Sequence, residues 1–138
     1  MQLFSHDSKA DSLAGTPLFG ALSRAELVEL AKLTEDLEVE EGKVLAREGA
    51  IGQEFFVIVD GEVSVSKDGR ELRTLGPGDF FGEIALIWDS PRRTATVTAT
   101  SPLRFFVLTR QSFKSLIDHQ PQIEKRVLEA LEERVGTT

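Results

Sequence analysis

The sequence predicts a mainly β fold with flanking helices (α+β): an eight-stranded antiparallel β-roll or jelly roll, with one helix before it and two after it. Between residues 37 and 109, short apolar or alternating runs are separated by glycines, a spacing typical of β-sandwiches and rolls. On both sides of this segment apolar residues recur every three or four positions, which indicates helices. The 138 residues fit one domain. We expect a flexible arm over 1–16 and the domain over 17–138, with the roll at about 37–109 and the C-terminal helices at about 110–135.

The helix before the roll is predicted from its N-terminal signal. Ser23 and Glu26 are the two ends of a capping box, in which the serine accepts from a free amide of the first turn and the glutamate reaches back. Leu27, Leu30 and Ala31 follow at helical spacing and form one apolar face. We expect this helix to end near residue 33 or 34.

Several segments of the roll carry clear strand signals. Runs 62–67 and 70–75 predict a hairpin, because the Asp68-Gly69 between them suits the positive φ angles of a type I′ turn. Residues 55–59 are apolar on both faces and predict a central strand, and 104–109 predict the last strand. Residues 94–100 alternate between threonine and small apolar residues, which predicts a strand with one buried face.

Two helices are predicted after the roll. Thr109 can cap a helix over 110–118, and Pro121 suits the first turn of the next helix, where its missing N–H does no harm. The apolar side of that last helix consists of Ile123, Val127, Leu128, Leu131 and Val135.

Composition and charge exclude several classes of function. The net charge of −7 argues against nucleic-acid partners, which need a basic surface. No apolar run is long enough to span a membrane and none resembles a signal peptide, so we expect a cytoplasmic protein with no membrane partner. His6 and His119 lie far apart, there is no cysteine, and no Ser/His/Asp spacing recommends a nucleophile. We therefore expect neither an enzyme nor a metal site, and no cofactor.

One segment, 78–97, combines residues that suit an anion carrying hydroxyl groups. Gly82 allows a bend or a close approach, and the short helical run after it offers free amides. Arg93 follows with a planar fork that matches a phosphate, and Thr94 leaves room around it. Glu83 beside an anion site makes sense as an acceptor from hydroxyls such as a ribose 2′-OH.

This segment resembles the phosphate-binding cassette of the cyclic-nucleotide-binding domains, found in catabolite activators, regulatory subunits of cyclic-AMP-dependent kinase and cyclic-nucleotide-gated channels. The matching residues are Gly82-Glu83-Ile84-Ala85-Leu86 and Arg93-Thr94-Ala95-Thr96-Val97, with further similarity over 75–81. The resemblance implies a β-roll sensor for cyclic AMP or cyclic GMP. It covers about 17–135; the DNA-binding domain of the catabolite activators is not carried over.

The resemblance also implies roles for individual residues. Glu83 corresponds to the ribose 2′-hydroxyl partner and Arg93 to the phosphate partner, with Arg92 as the alternative. The amides of Ile84, Ala85, Thr94 and Ala95 correspond to those that line the phosphate, next to Gly82. Threonine at 94 is associated with tolerance of or preference for cyclic GMP, which leaves the choice between the two nucleotides open.

The purine needs an apolar wall, and position along the strands suggests candidates. Val63 or Val65, Leu75 and Phe80 are candidate walls, although Phe80 also suits the core. In the family, binding is coupled to movement of the C-terminal helices, so Leu131 or Arg134 is a candidate lid within 123–135. Phe113, Leu116 and Ile117 would then slide against Leu86.

The output of such a sensor is left open by the sequence. Action in trans on an effector protein, a homodimer through the C-terminal helix, nucleotide buffering and a place within a longer protein are all compatible with it. The alternative function is a protein-interaction module that keeps the fold without binding nucleotide and uses its last helix for a partner.

Overall fold

The N-terminal residues form a helix that packs into the core. The computed structural model describes residues 6–16, 19–82, 85 and 92–136, with side chains from 9 to 129. Helix α1 (His6–Ala14) contacts the second helix and a strand of the roll, and its Ala10 and Leu13 are fully buried. The prediction of a flexible arm over 1–16 is therefore wrong for 6–16. The mixed polar composition hid Ala10 and Leu13, two apolar residues at helical spacing that tertiary contacts bury.

Helix α2 (Arg24–Lys32) begins at the predicted capping box. Ser23 Oγ accepts from the Glu26 amide at 3.2 Å, and the Ser23 amide donates to Glu26 Oε1 at 2.8 Å. Leu27, Leu30 and Ala31 are buried, and the helix is capped at Leu33 as expected.

Eight strands among the described residues form two antiparallel four-stranded sheets, which confirms the predicted class. The sheet orders are β1-β8-β3-β6 and β2-β7-β4-β5. The strands are β1 (Glu35–Val39), β2 (Val44–Ala46), β3 (Glu54–Asp60), β4 (Val63–Lys67), β5 (Arg70–Leu75), β6 (Phe80–Phe81), β7 (Thr96–Ala99) and β8 (Leu103–Thr109).

The predicted hairpin and central strand are both present. β4 and β5 pair antiparallel, and Asp68 and Gly69 between them have φ angles of 52° and 78°, as a type I′ turn requires. β3 lies between β8 and β6. The strand predicted over 94–100 begins only at Thr96, so Thr94 precedes it instead of opening it.

The first sheet carries apolar side chains on both of its faces. It therefore separates two clusters of buried residues. On β3, Phe55 and Val57 face the helices, whereas Phe56 and Ile58 face the inside of the roll. The cluster between sheet and helices we call the helix-side core, and the other the roll interior.

Two helices follow the roll, as predicted. Thr109 caps α3 (Arg110–His119) by accepting from the Ser112 amide at 3.1 Å, and α4 (Pro121–Gly136) begins at the proline. Ile123 and Val127 of α4 are fully buried in the helix-side core. None of the helices described is both long and apolar enough to cross a membrane.

Candidate functional site

The backbone at Arg93 is fixed against the turn that precedes β3. The Arg93 amide donates to Ala50 O at 2.7 Å, and the Gly49 amide donates to Arg93 O at 2.8 Å. Ile51 and Arg92 form an isolated antiparallel bridge beside this pair. These backbone bonds determine where the Arg93 side chain starts.

The Arg93 side chain lies in a slot between two glycines. A Cβ atom on Gly52 would lie 1.8 Å from Arg93 Nε, and one on Gly82 would lie 2.8 Å from Nη1 and 2.6 Å from Glu54 O. Gly82 also has a φ of +86°, which side-chain-bearing residues rarely adopt. Both glycines are therefore required for the guanidinium to lie where it does.

The Arg93 guanidinium is largely buried but only partly neutralised. Its side chain is 11% exposed, and its Nη2 donates to the backbone oxygen of Glu54 at 2.9 Å. The Glu54 carboxylate lies 3.6 Å from Nη2, and the guanidinium carbon lies 5.8 Å from the Phe56 ring centroid. Burial lowers the pKa of Arg93 and the Glu54 charge partly opposes this. A buried cation of this kind favours an anion that can accept from its remaining donors.

The structure separates the two adjacent arginines. Arg92 is exposed and its Nη1 donates to Gly49 O at 2.8 Å, so it lies on the surface outside the slot. Of the two arginines that the sequence offers for a phosphate, Arg93 is the one enclosed by the glycines. The described residues contain no group of three His, Cys, Asp or Glu able to hold a metal ion.

Apolar residues of the roll interior lie on the same side of the first sheet as this slot. Phe56, next to the guanidinium, stacks on Phe81 with ring centroids 4.5 Å apart. The candidate wall residues belong to the same cluster: Val63, Val65 and Leu75, together with Ala95. Val63 and Val65 are buried, whereas Leu75 and Ala95 are half-buried and therefore better placed to contact a ligand.

Phe80 is not on this side of the sheet. It packs in the helix-side core, where its ring centroid lies 5.9 Å from that of Phe55. Because successive residues of a strand point to opposite faces, Phe81 faces the roll interior and Phe80 faces the helices. The prediction of Phe80 as a wall is corrected accordingly, and the core interpretation of Phe80 applies.

The other cassette residues are described in part. Ala85 is helical and buried, and its amide donates to Gly82 O at 3.0 Å, so this N–H already has an acceptor. Thr94 is exposed beside Arg93. Lying outside the described residues are Glu83, Ile84 and Leu86, and the side chains of Leu131 and Arg134.

Sequence reasoning missed four residues of the site. Gly52, Glu54 and Phe56 surround Arg93. The fourth is Arg73, which pairs with Val65 across β4 and β5, two positions from Leu75. Cross-strand partners and residues two apart share a face, so exposed Arg73 lies on the face of the candidate wall. Only the register between β4 and β5 places Arg73 on this face, and that register cannot be read from the sequence.

Comparisons with known proteins place this geometry in context. The profile of the cyclic nucleotide-binding domain family matches residues 36–120. A cyclic nucleotide-gated potassium channel of Rhizobium etli is 36% identical over 124 residues, which are 90% of this chain and 34% of that protein. The chain thus spans about a third of that relative's length.

Solved structures with a similar fold include two that share about 30% of their sequence with this chain. The N-terminal domain of a transcriptional regulator from Streptomyces coelicolor A3(2) superposes with a TM-score of 0.83 at 30% identity, covering 92% of this chain and 94% of that one. The regulatory domain of Toxoplasma gondii PKA, crystallised with cAMP, gives a TM-score of 0.72 at 32% identity, covering 80% of this chain and 44% of that one.

Proposed function

Because the chain belongs to the cyclic nucleotide-binding domain family, we propose that it captures cyclic AMP or cyclic GMP with the cyclic phosphate on Arg93. The observation that carries the proposal is the Arg93 guanidinium, enclosed by Gly52 and Gly82 and facing a single carboxylate among its described contacts. Among the described residues, the hydrogen bond and the ion pair of Arg93 with Glu54 both use Nη2. Nε and Nη1 can therefore donate to phosphate oxygens.

The other parts of the ligand follow from the same placement. Glu83 stays the predicted partner of the ribose 2′-hydroxyl. We assign the purine to the half-buried edge of the roll interior at Leu75 and Ala95, with Val63 and Val65 behind them. The deeply buried valines support this wall and the two more exposed residues supply the contact area.

Two residues at the mouth favour guanine over adenine. Thr94 is exposed next to Arg93, and its hydroxyl can donate a hydrogen bond to the base, as the family resemblance implies. Arg73 shares the wall face, and an arginine donates in pairs to guanine O6 and N7, whereas adenine presents an N6 donor at that edge. We therefore expect cyclic GMP to bind more tightly than cyclic AMP.

The fold also offers a route from the site to the C-terminal helices. The Arg110 amide at the start of α3 donates to Gln53 O at 2.8 Å, between the two residues that contact Arg93. Phe113 and Leu116 of α3 are buried in the same helix-side core as Phe55, whose neighbour Phe56 faces the roll interior. We propose that capture of the phosphate shifts α3 and lets α4 close over the base, with Leu131 or Arg134 as the lid.

The decisive test is isothermal titration of each nucleotide into the wild type and two neighbouring variants. Arg93→Ala is expected to weaken binding at least about tenfold, since a hydrogen bond to a charged group contributes about 1.5–3 kcal/mol. Arg92→Ala is the matched control and should bind as the wild type does. Equal affinity of Arg93→Ala and wild type would overturn the assignment, and no binding by the nucleotide-free wild type would favour the interaction module.

Selectivity is tested separately with Arg73→Ala, using Arg70→Ala on the same strand as the control. The Arg73 variant should lose affinity for cyclic GMP by about tenfold or more and change little for cyclic AMP, because a bidentate base contact contributes about 1–3 kcal/mol. An unchanged ratio of the two affinities would remove Arg73 from the base site.

A sensor should also return either nucleotide intact after incubation, as chromatography would reveal. The cytoplasm stays the predicted location.

A further inference from the structure

A buried carboxylate, Glu26, ties the first part of α4 to α2. Glu26 Oε1 accepts from the Ser23 amide and from Arg126 Nη1, and Oε2 accepts from Gln122 Nε2 at 3.1 Å. Its side chain is 9% exposed and that of Arg126 is 41% exposed. Three donors from two elements thus converge on one carboxylate, two of them from successive turns of α4.

The bonds to Glu26 do more than cap a helix. A capping box needs only the Ser23–Glu26 exchange, which is complete within α2. The contacts from Gln122 and Arg126 join residues 96 and 100 positions apart and leave the cap unaltered if they break. They therefore serve the position of α4, and Glu26 is the point at which that position can be released.

The location of the contact determines its direction of action. Ile123 and Val127, which directly follow Gln122 and Arg126, lie in the helix-side core, on the face of the first sheet opposite the candidate base wall. Bonds that hold this part of α4 to α2 keep it on that face. Movement of α4 toward the base has to loosen them, because α2 is itself fixed by Leu27 and Leu30 in the same core.

We propose that Glu26 is a latch that bonds to Arg126 and Gln122, holds α4 on α2 and opposes the closure of α4 over the nucleotide. This inference rests on the proposed function for its effect on affinity, but the latch itself is a property of the protein alone. Breaking the latch raises the population of released α4, and by linkage a ligand that prefers that arrangement then binds more tightly.

The test uses Glu26→Gln in the full chain, because glutamine can still close the capping box while it removes the charge that holds Arg126. Glu29→Gln, on the exposed side of the same helix 3.8 Å from Lys32, is the matched control. Arg126→Gln breaks the same contact from α4. We expect amide hydrogen exchange over 122–129 to be at least about tenfold faster in both latch variants and unchanged in the control.

Nucleotide affinity is the second readout. Glu26→Gln and Arg126→Gln should each bind the preferred nucleotide about threefold or more tightly, and the double variant no more tightly than either, since both remove one interaction. Unchanged exchange over 122–129, additive effects, or weaker binding would each overturn the latch. A wild type that binds no nucleotide refutes the proposed function and the affinity effect, while the exchange result still decides whether Glu26 holds α4.

Discussion

Replacing Gly52 with alanine should displace Arg93 without altering its charge or the charge of any group around it. The new Cβ would lie 1.8 Å from Nε, 2.1 Å from Cζ and 2.5 Å from Cδ of Arg93. The guanidinium has to retreat by roughly 2 Å to reach an ordinary contact distance. A shift of that size breaks the 2.9 Å bond from Nη2 to Glu54 O.

The magnitude follows from the bond that the ligand loses. If the phosphate accepts from a displaced Arg93 no better than from solvent, about 1.5–3 kcal/mol is lost, or roughly 10- to 150-fold in the dissociation constant. Isothermal titration measures this loss, and circular dichroism at rising temperature checks that the fold persists. Gly76→Ala is the control, because nothing lies within 4 Å of its Cβ. Wild-type affinity in a folded Gly52→Ala would refute a phosphate site built on this slot.

Two further predictions concern carboxylates. Glu54→Gln should tighten nucleotide binding by up to about fivefold at low salt and less at high salt, because it removes an exposed negative charge 3.6 Å from Arg93 that competes with the phosphate. Titrations at two ionic strengths measure this effect. Weaker binding would mean that Glu54 positions Arg93 instead. Burial opposes ionisation of Glu26, but the bonds from Ser23, Gln122 and Arg126 outweigh it and lower its pKa. The stabilisation by Glu26 should therefore be present above the ordinary carboxyl pKa, about 4.3, and be lost as the pH falls through the lowered pKa. The difference in unfolding free energy between wild type and Glu26→Gln should then shrink in acid. Urea unfolding between pH 7 and 3 measures this difference.

Local signals in the sequence were sufficient for most of the secondary structure. The capping box at Ser23, the Asp68-Gly69 turn and the Thr109 cap each depend on residues within three or four positions of one another. Such short-range chemistry determines where an element begins or turns, whatever the rest of the chain does. Helix α1 was missed because few apolar residues mark it among polar ones. Its burial depends on contacts with α2 and β3, which lie elsewhere in the sequence.

The site was predictable only on its cassette side. Arg93 stands out by residue type and position, but Gly52, Glu54 and Phe56 lie about 40 positions earlier and reach it only through the pairing of the turn at 49–50 with the cassette. Phe80 and Phe81 raise the same problem on a smaller scale. Alternation requires one of them to face the roll interior, but two identical residue types give no indication of which.

Three consecutive residues join the candidate phosphate site to the C-terminal helices, and their spacing argues for direct mechanical coupling. Gly52 packs against the Arg93 side chain, Gln53 O accepts from the Arg110 amide, and Glu54 O accepts from Arg93. Glu54 begins β3 and pairs with Thr109 of β8, so we expect this segment not to absorb a displacement of Arg93 by bending alone. We therefore expect a pull on the guanidinium to be passed to the first turn of α3. Because α3 and α4 share the helix-side core with α2, we expect the Glu26 contact to limit how much of that movement α4 can follow.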